Sequence, residues 1–115
     1  MALALLALSI DCGDAAKLAA FWAAALRRPA DPGATPESAA ITPGATGPRL
    51  LFHQVPEPKT VKNRLHLDLI SNTFEAESQR LAALGASRIR DVTKGSARWT
   101  TFADPEGNEF DLIAG

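Results

Sequence analysis

Cysteine is nearly absent from this chain: Cys12 stands alone among 115 residues. A single thiol excludes an internal disulfide, a multi-cysteine zinc site and an iron–sulfur cluster, and it fits a reducing, cytoplasmic setting. An excess of charge of either sign is missing as well. With 12 Lys and Arg against 13 Asp and Glu, no net field gathers nucleic acid or an anionic lipid surface, so neither is expected as a partner. No apolar run reaches the roughly 20 residues that cross a bilayer. The opening run Met1 to Leu8 has the apolarity of a signal-peptide core, but it lacks basic residues ahead of it and continues straight into Ser9-Ile10-Asp11. It is therefore expected to form a buried first strand over residues 3–10. A glycine-rich phosphate loop and a Ser-His-Asp order are also lacking, which removes the commonest nucleotide-binding and acyl-transfer signatures.

What is present describes one ordinary soluble domain over residues 1–115, with 46% apolar and 22% charged residues. Asp14 is placed to accept from the free N–H groups of a first helical turn, and Leu18, Phe21, Trp22 and Ala25 follow at helical spacing. Arg27 and Arg28 suit the negative end of that helix's dipole, and Pro29 ends it. From Pro29 to Pro48 lie five of the eight prolines and three of the eight glycines, so this stretch is read as irregular, with short edge strands around Ser38 to Thr42. Arg49 to Val55 is strand-like. Residues 64–70 alternate strictly, with Leu65, Leu67 and Leu69 on one face and Arg64, His66 and Asp68 on the other. Asn72 and Glu75 resemble a capping box for a second helix carrying Phe74, Ser78, Leu81 and Leu84 and ending at Gly85. Strands are expected at 87–92, 97–103 and 109–113, the last after the turn Asp104-Pro105-Glu106-Gly107-Asn108.

Both halves read strand, polar turn, helix, then short strands, and their helix starts coincide when Asp14 is set against Thr73. Alternation then puts Leu65, Leu67, Leu69, Phe110 and Leu112 toward the helices and His66, Asp68, Glu109 and Asp111 on the opposite, polar face. For the strand at 49–55 both parities contain apolar residues; packing of Leu50 and Phe52 on a helix would put His53 on the polar face. Glu109 and Asp111 share a face, where like charges could bring one carboxylate toward general-base range; alternatively Glu109 lies in water by the turn. Lys59, Lys62 and Arg64, with Asn63, are either an anion clamp at a pocket rim or a solvated connector. Trp99 could stack on a planar ligand or pack in the core, whereas Trp22 is expected to pack. No histidine is tied by spacing to Cys12, which reads as a structural thiol.

The segment from Val55-Pro56-Glu57-Pro58 through Arg64-Leu65-His66-Leu67-Asp68-Leu69, and the ending Ala103-Asp104-Pro105-Glu106-Gly107-Asn108-Glu109-Phe110-Asp111-Leu112, resemble the glyoxalase-like branch of the vicinal oxygen chelate superfamily, which includes bleomycin resistance proteins and dioxygenases. The resemblance implies an α+β fold of two βαβββ modules, about residues 1–56 and 62–115, forming a half-open mixed β-sheet cup with helices outside. Homodimers are common in that superfamily. It further implies a small-molecule pocket and, in metal-using members, a divalent metal ion held by one side chain from the first and last strands of each module. His66 matches the second-module histidine and Asp111 falls where the family usually has Glu. Ala7 occupies the first-strand ligand position and cannot coordinate, while the fourth position is Leu51 or His53. The candidate metal ligands are thus His53, His66 and Asp111, with no cofactor certain; the alternative, which the missing first-strand ligand and the shortened carboxylate favour, is that His66 hydrogen-bonds Asp68 or Asp111, His53 caps a strand edge and nothing is bound. Two functions stay open. One is a lyase, isomerase or dioxygenase-type enzyme with a degenerate metal site, His66 and Asp111 being catalytic and His53, Arg64, Asp68, Trp99 and Glu109 binding ligand. The other is a non-catalytic, antibiotic-like binding or resistance protein. Ordinary glyoxalase turnover of methylglyoxal with glutathione is not expected.

Overall fold

The computed structural model describes residues 2–44 and 47–115, and the chain divides into two compact units, Met1–Pro58 and Lys59–Gly115. Met1 of the opening run and positions 45 and 46 of the proline-rich stretch lie outside the described residues. The first unit contains β1 (Ala7–Cys12), α1 (Ala15–Leu26), β2 (Ser38–Ile41) and β3 (Arg49–Gln54). Its sheet has the order β1-β3-β2, with β1 parallel and β2 antiparallel to β3. The second unit contains β4 (Asp68–Ser71), α2 (Phe74–Leu84), β5 (Ser87–Lys94), β6 (Ala97–Ala103) and β7 (Glu109–Ala114). Its order is β4-β7-β6-β5, β4 parallel to β7 and the other neighbours antiparallel.

The two units share one plan, in which the first strand runs parallel to the last after a helical crossover. They differ at the strand that follows the helix. In the second unit this is β5; in the first it shrinks to an isolated bridge between Ala30 and Ile41, because Pro29 and Pro32 on either side have no N–H to give a ladder. The α+β class and the doubled module plan are thus as expected. Among the described residues the mixed sheets do not close into a barrel, and no helix is long and apolar enough to cross a membrane.

In the first unit the side chain of Asp14 accepts from the backbone N–H of Lys17 at 3.0 Å and caps α1. Leu18, Phe21, Trp22 and Ala25 are buried, as are Ala39, Ile41, Leu50 and Phe52 of β2 and β3. The first strand starts later than its sequence suggests. Leu3, Leu5 and Leu6 are 102%, 72% and 83% exposed, because β3 begins with Arg49 opposite Ala7 and offers no partner to the residues before it. The reading of Arg28 as a helix-dipole partner is also replaced. Its guanidinium donates to the Thr42 carbonyl at 2.9 and 2.6 Å and to the Pro48 carbonyl at 2.6 Å, holding the backbone after β2 against the backbone before β3.

Asp31 pins the same stretch from the other side. Its carboxylate accepts from the Thr42 hydroxyl at 2.6 Å and from Arg49, and these bonds, that from Thr42 foremost, hold it below the ordinary value of 3.8. A depressed carboxylate contributes stability above its unfolded value and loses that contribution as the pH falls through its folded value. The gap in urea midpoint between wild type and Asp31→Asn should therefore be present at neutral pH and close progressively once the pH drops below 3.8.

In the second unit Phe74, Ser78 and Leu81 of α2 are buried along with Phe102, Phe110 and Leu112, and Gly85 ends the helix at φ 117°. The capping box does not form: Thr73 is the N-cap and its side chain caps nothing. The preceding Ser71 hydroxyl instead accepts from the Thr73 N–H at 3.0 Å. The Ser78 hydroxyl is fully enclosed and has no hydrogen-bond partner. Ser78→Ala removes that unpaired group and improves helix propensity, so it should raise the unfolding free energy by about 1 kcal/mol, read as a higher urea midpoint at unchanged slope.

The strand expected over residues 64–70 begins only at Asp68, and Leu65 is 71% exposed rather than turned to the core. Asn63 explains this. Its side-chain amide accepts from the Glu109 N–H at 2.8 Å and donates to the Glu109 carbonyl at 3.0 Å. Continued back from Asp68 opposite Asp111, a longer strand would bring residue 66 opposite Glu109, whose backbone groups the Asn63 amide already occupies. Pairing resumes where the Asp111 N–H donates to the Leu67 carbonyl at 3.0 Å.

Candidate functional site

The second sheet sorts its side chains by register. Asp68 pairs with Asp111, Asp111 with Thr101 and Thr101 with Arg90, and partners in adjacent strands project to the same face. The neighbouring row of Leu112 and Thr100 is buried on the other side with Phe102 and Phe110. Along β5 the parity breaks at an irregularity between Arg88 and Arg90, where Arg88 pairs with Phe102 but Arg90 with Thr101. One extra residue turns the strand over. Arg88 stays with the core face, its guanidinium 5.8 Å from the Phe102 ring centre, while Arg90 swings to the face of Asp111.

That face carries a cavity of about 230 Å³ within the second unit. Trp99 and Val92, themselves register partners, form its apolar wall. Lys62, Arg90, Glu109, His66, Asp111 and Thr101 complete the lining. Asp111 is held in place: the buried Thr101 hydroxyl donates to its Oδ1 at 2.6 Å. Its Oδ2 lies 4.0 Å from His66 Nδ1. The same His66 nitrogen lies 2.8 Å from Asp68 Oδ1; since a carboxylate can only accept, Nδ1 carries the hydrogen, and a neutral ring keeps its basic lone pair on Nε2. Glu109 Oε1 faces two cations, Arg90 Nη2 at 3.4 Å and Lys62 Nζ at 3.7 Å.

Four expected site residues therefore border one cavity: His66, Trp99, Glu109 and Asp111. Asp68 joins through His66. Arg64 is exposed and does not border the cavity; the residue of the basic segment that does so is Lys62. His53 belongs to the first unit, where it is exposed on β3 and projects away from the buried Leu50 and Phe52, the parity favoured above. Cys12 is buried, its thiol 3.5 Å from the His53 carbonyl. Sequence reasoning missed Arg90, Val92 and Thr101. Thr101 was accessible from its place ten residues before Asp111 across a hairpin, but Arg90 was hidden by the irregularity in β5.

For a metal ion, the requirement is several donors converging on one point. Ligand atoms of His66, Asp68 and Asp111 all lie within 4.8 Å of one another, so one imidazole and two carboxylates from the second unit meet it. Ala7, in the first unit at the start of β1, has no donor to add.

No curated protein matches the chain. Among solved structures, a fosfomycin resistance protein from Listeria monocytogenes, solved with Mn(II) and a dihydroxypropylphosphonic acid, is similar with TM-score 0.79 and 17% identity, over 100% of this chain and 92% of that one. A glyoxalase-related enzyme from Fulvimarina pelagi gives 0.75 and 16% over 99% and 89%. A lactoylglutathione lyase from Agrobacterium tumefaciens gives 0.69 and 14% over 99% and 95%. These likenesses establish the fold. Residues 7–113 match the family described as the glyoxalase-like domain, and with that match over nearly the whole length the chain belongs to the glyoxalase-like domain family.

Proposed function

We propose that this protein binds a small organic molecule in the cavity of its second unit and acts on it by proton transfer of the lyase or isomerase kind. The observation that carries the reading is the convergence of His66 and Asp111 on one cavity with an aromatic wall and two cations. His66 offers Nε2 as the base while Asp68 fixes the ring through Nδ1. Asp111, oriented by Thr101, faces the imidazole and stabilises the imidazolium that proton uptake creates. His66, Asp68 and Asp111 are also the residues that would hold a divalent ion, in which case the imidazole lone pair would serve as a ligand and not as the base. Such an ion, when bound, polarises a substrate oxygen as a Lewis acid.

A second reading, sequestration without turnover, is favoured by Ala7, which leaves the superfamily's first-strand ligand position without a donor. Both readings share the cavity, and the test begins there. Titration of isotope-labelled protein with small organic acids, and separately with Zn²⁺, should shift backbone amides of residues 62–68 and of β5, β6 and β7. Shifts confined to the first unit would overturn the placement. Elemental analysis after incubation with Mn²⁺ and gel filtration should return stoichiometric metal.

A further inference from the structure

We infer that the ligand is a small planar monocarboxylate, and that Glu109 is an internal competitor for the Lys62–Arg90 anion site that the ligand's carboxylate enters. The inference rests on the cavity assigned above and specifies what it takes. At 3.4 and 3.7 Å, the contacts of Arg90 and Lys62 with Glu109 exceed the ~2.7–2.9 Å of a good charge-assisted hydrogen bond, and both fall on a single oxygen. Two cations thus face one loosely held carboxylate, and both remain about half exposed, at 52% and 55%. The guanidinium fork is free to take a second carboxylate in the bidentate geometry that Glu109 does not use. A dianion fits worse, because Glu109 and Asp111 border the same space. Trp99 supplies the flat apolar surface, and about 230 Å³ lies below the ~300–1,000 Å³ of pockets for drug-sized ligands.

Glu109 can be altered cleanly, since Asn63 anchors its backbone through N–H and carbonyl independently of its side chain. Benzoate is the probe, followed by Trp fluorescence of the full chain; Trp22 is 2% exposed in the first unit, and Trp99→Phe removes the reporting ring. Benzoate should quench saturably, and benzamide, its neutral isostere, and phenylphosphonate should bind more weakly. Arg90→Ala and Lys62→Ala should each weaken benzoate by about tenfold. Glu109→Gln should tighten it by about three- to fivefold, the worth of an exposed ion pair no longer in competition. Weaker binding in Glu109→Gln, or equal affinity for benzoate and benzamide, overturns the inference. If benzamide or benzylamine quenches Trp99 while benzoate does not, the cavity reading stands and the anion inference falls; if none of them does, both fall. Benzoate binding abolished in Asp111→Asn but unchanged in Arg90→Ala places the carboxylate on the His66–Asp111 side and also overturns it.

Discussion

Replacing Asp111 by alanine is expected to weaken Mn²⁺ or Zn²⁺ binding by about 100-fold or more, since loss of mere supporting groups around a metal ligand already costs roughly 10- to 100-fold. The size of the effect follows from the arrangement of the donors. His66 and Asp68 already bond each other at 2.8 Å, so loss of Asp111 reduces the three-donor cluster among the described residues to that bonded pair. Asp111 is also the best fixed of the three: it stands on β7 between β4 and β6, is 21% exposed against 52% for Asp68, and takes the Thr101 hydroxyl. Truncation to alanine leaves that hydroxyl buried without its acceptor, at a cost of about 1–3 kcal/mol, which would blur the reading. Asp111→Asn removes the charge and keeps an oxygen for Thr101. The asparagine variant should therefore lose the metal while melting close to wild type. Stoichiometric metal in both variants, or none in the wild type, would dispose of the His66–Asp68–Asp111 site.

Much of this site could be read from the chain because strand alternation is a local signal. Alternation along residues 109–113 separates Phe110 and Leu112 from Glu109 and Asp111, and the structure buries the first pair at 1% and 2% exposure. The Asp14 cap and the stripe of Leu18, Phe21, Trp22 and Ala25 were equally legible, since capping and helical periodicity are local. What failed was set by pairing between distant segments. Leu65 obeys the alternation of its neighbours and still points to solvent, because the Asn63 amide, not the backbone, bonds the edge of β7. Leu3 to Leu6 look like a core strand, but among the described residues the pairing of β1 with β3 starts only at Ala7. Arg90 eluded parity for a third reason: an extra residue in β5 reverses which side it faces. The fold class survives such errors because it depends on the order of elements; the composition of a cavity does not, because one shift of register exchanges every lining residue of a strand.

The largest stability effect is expected from Phe110→Ala, which should cost about 3–5 kcal/mol, a large part of the ~5–15 kcal/mol that holds a small domain folded. Phe110 is 1% exposed and stacks on Phe102 with ring centres 5.5 Å apart and planes within 15°. Its removal loses the transfer energy of a whole ring, the contact with Phe102, and the packing around the void left behind. Urea unfolding of the second unit should show the loss as a lower midpoint. The functional consequence comes from the position of Phe110 between Glu109 and Asp111 on one strand: its burial is what turns both carboxylates to the opposite face. Phe110→Leu is the informative companion, since it keeps an apolar anchor and should cost a fraction of the alanine change. In a chain still folded at low temperature, Phe110→Leu should bind Zn²⁺ nearly as wild type, whereas Phe110→Ala should bind it more weakly with no donor altered. Equal metal affinity in the two variants would mean that the Thr101 hydrogen bond alone suffices to aim Asp111, and that the core beneath it contributes stability without setting the site.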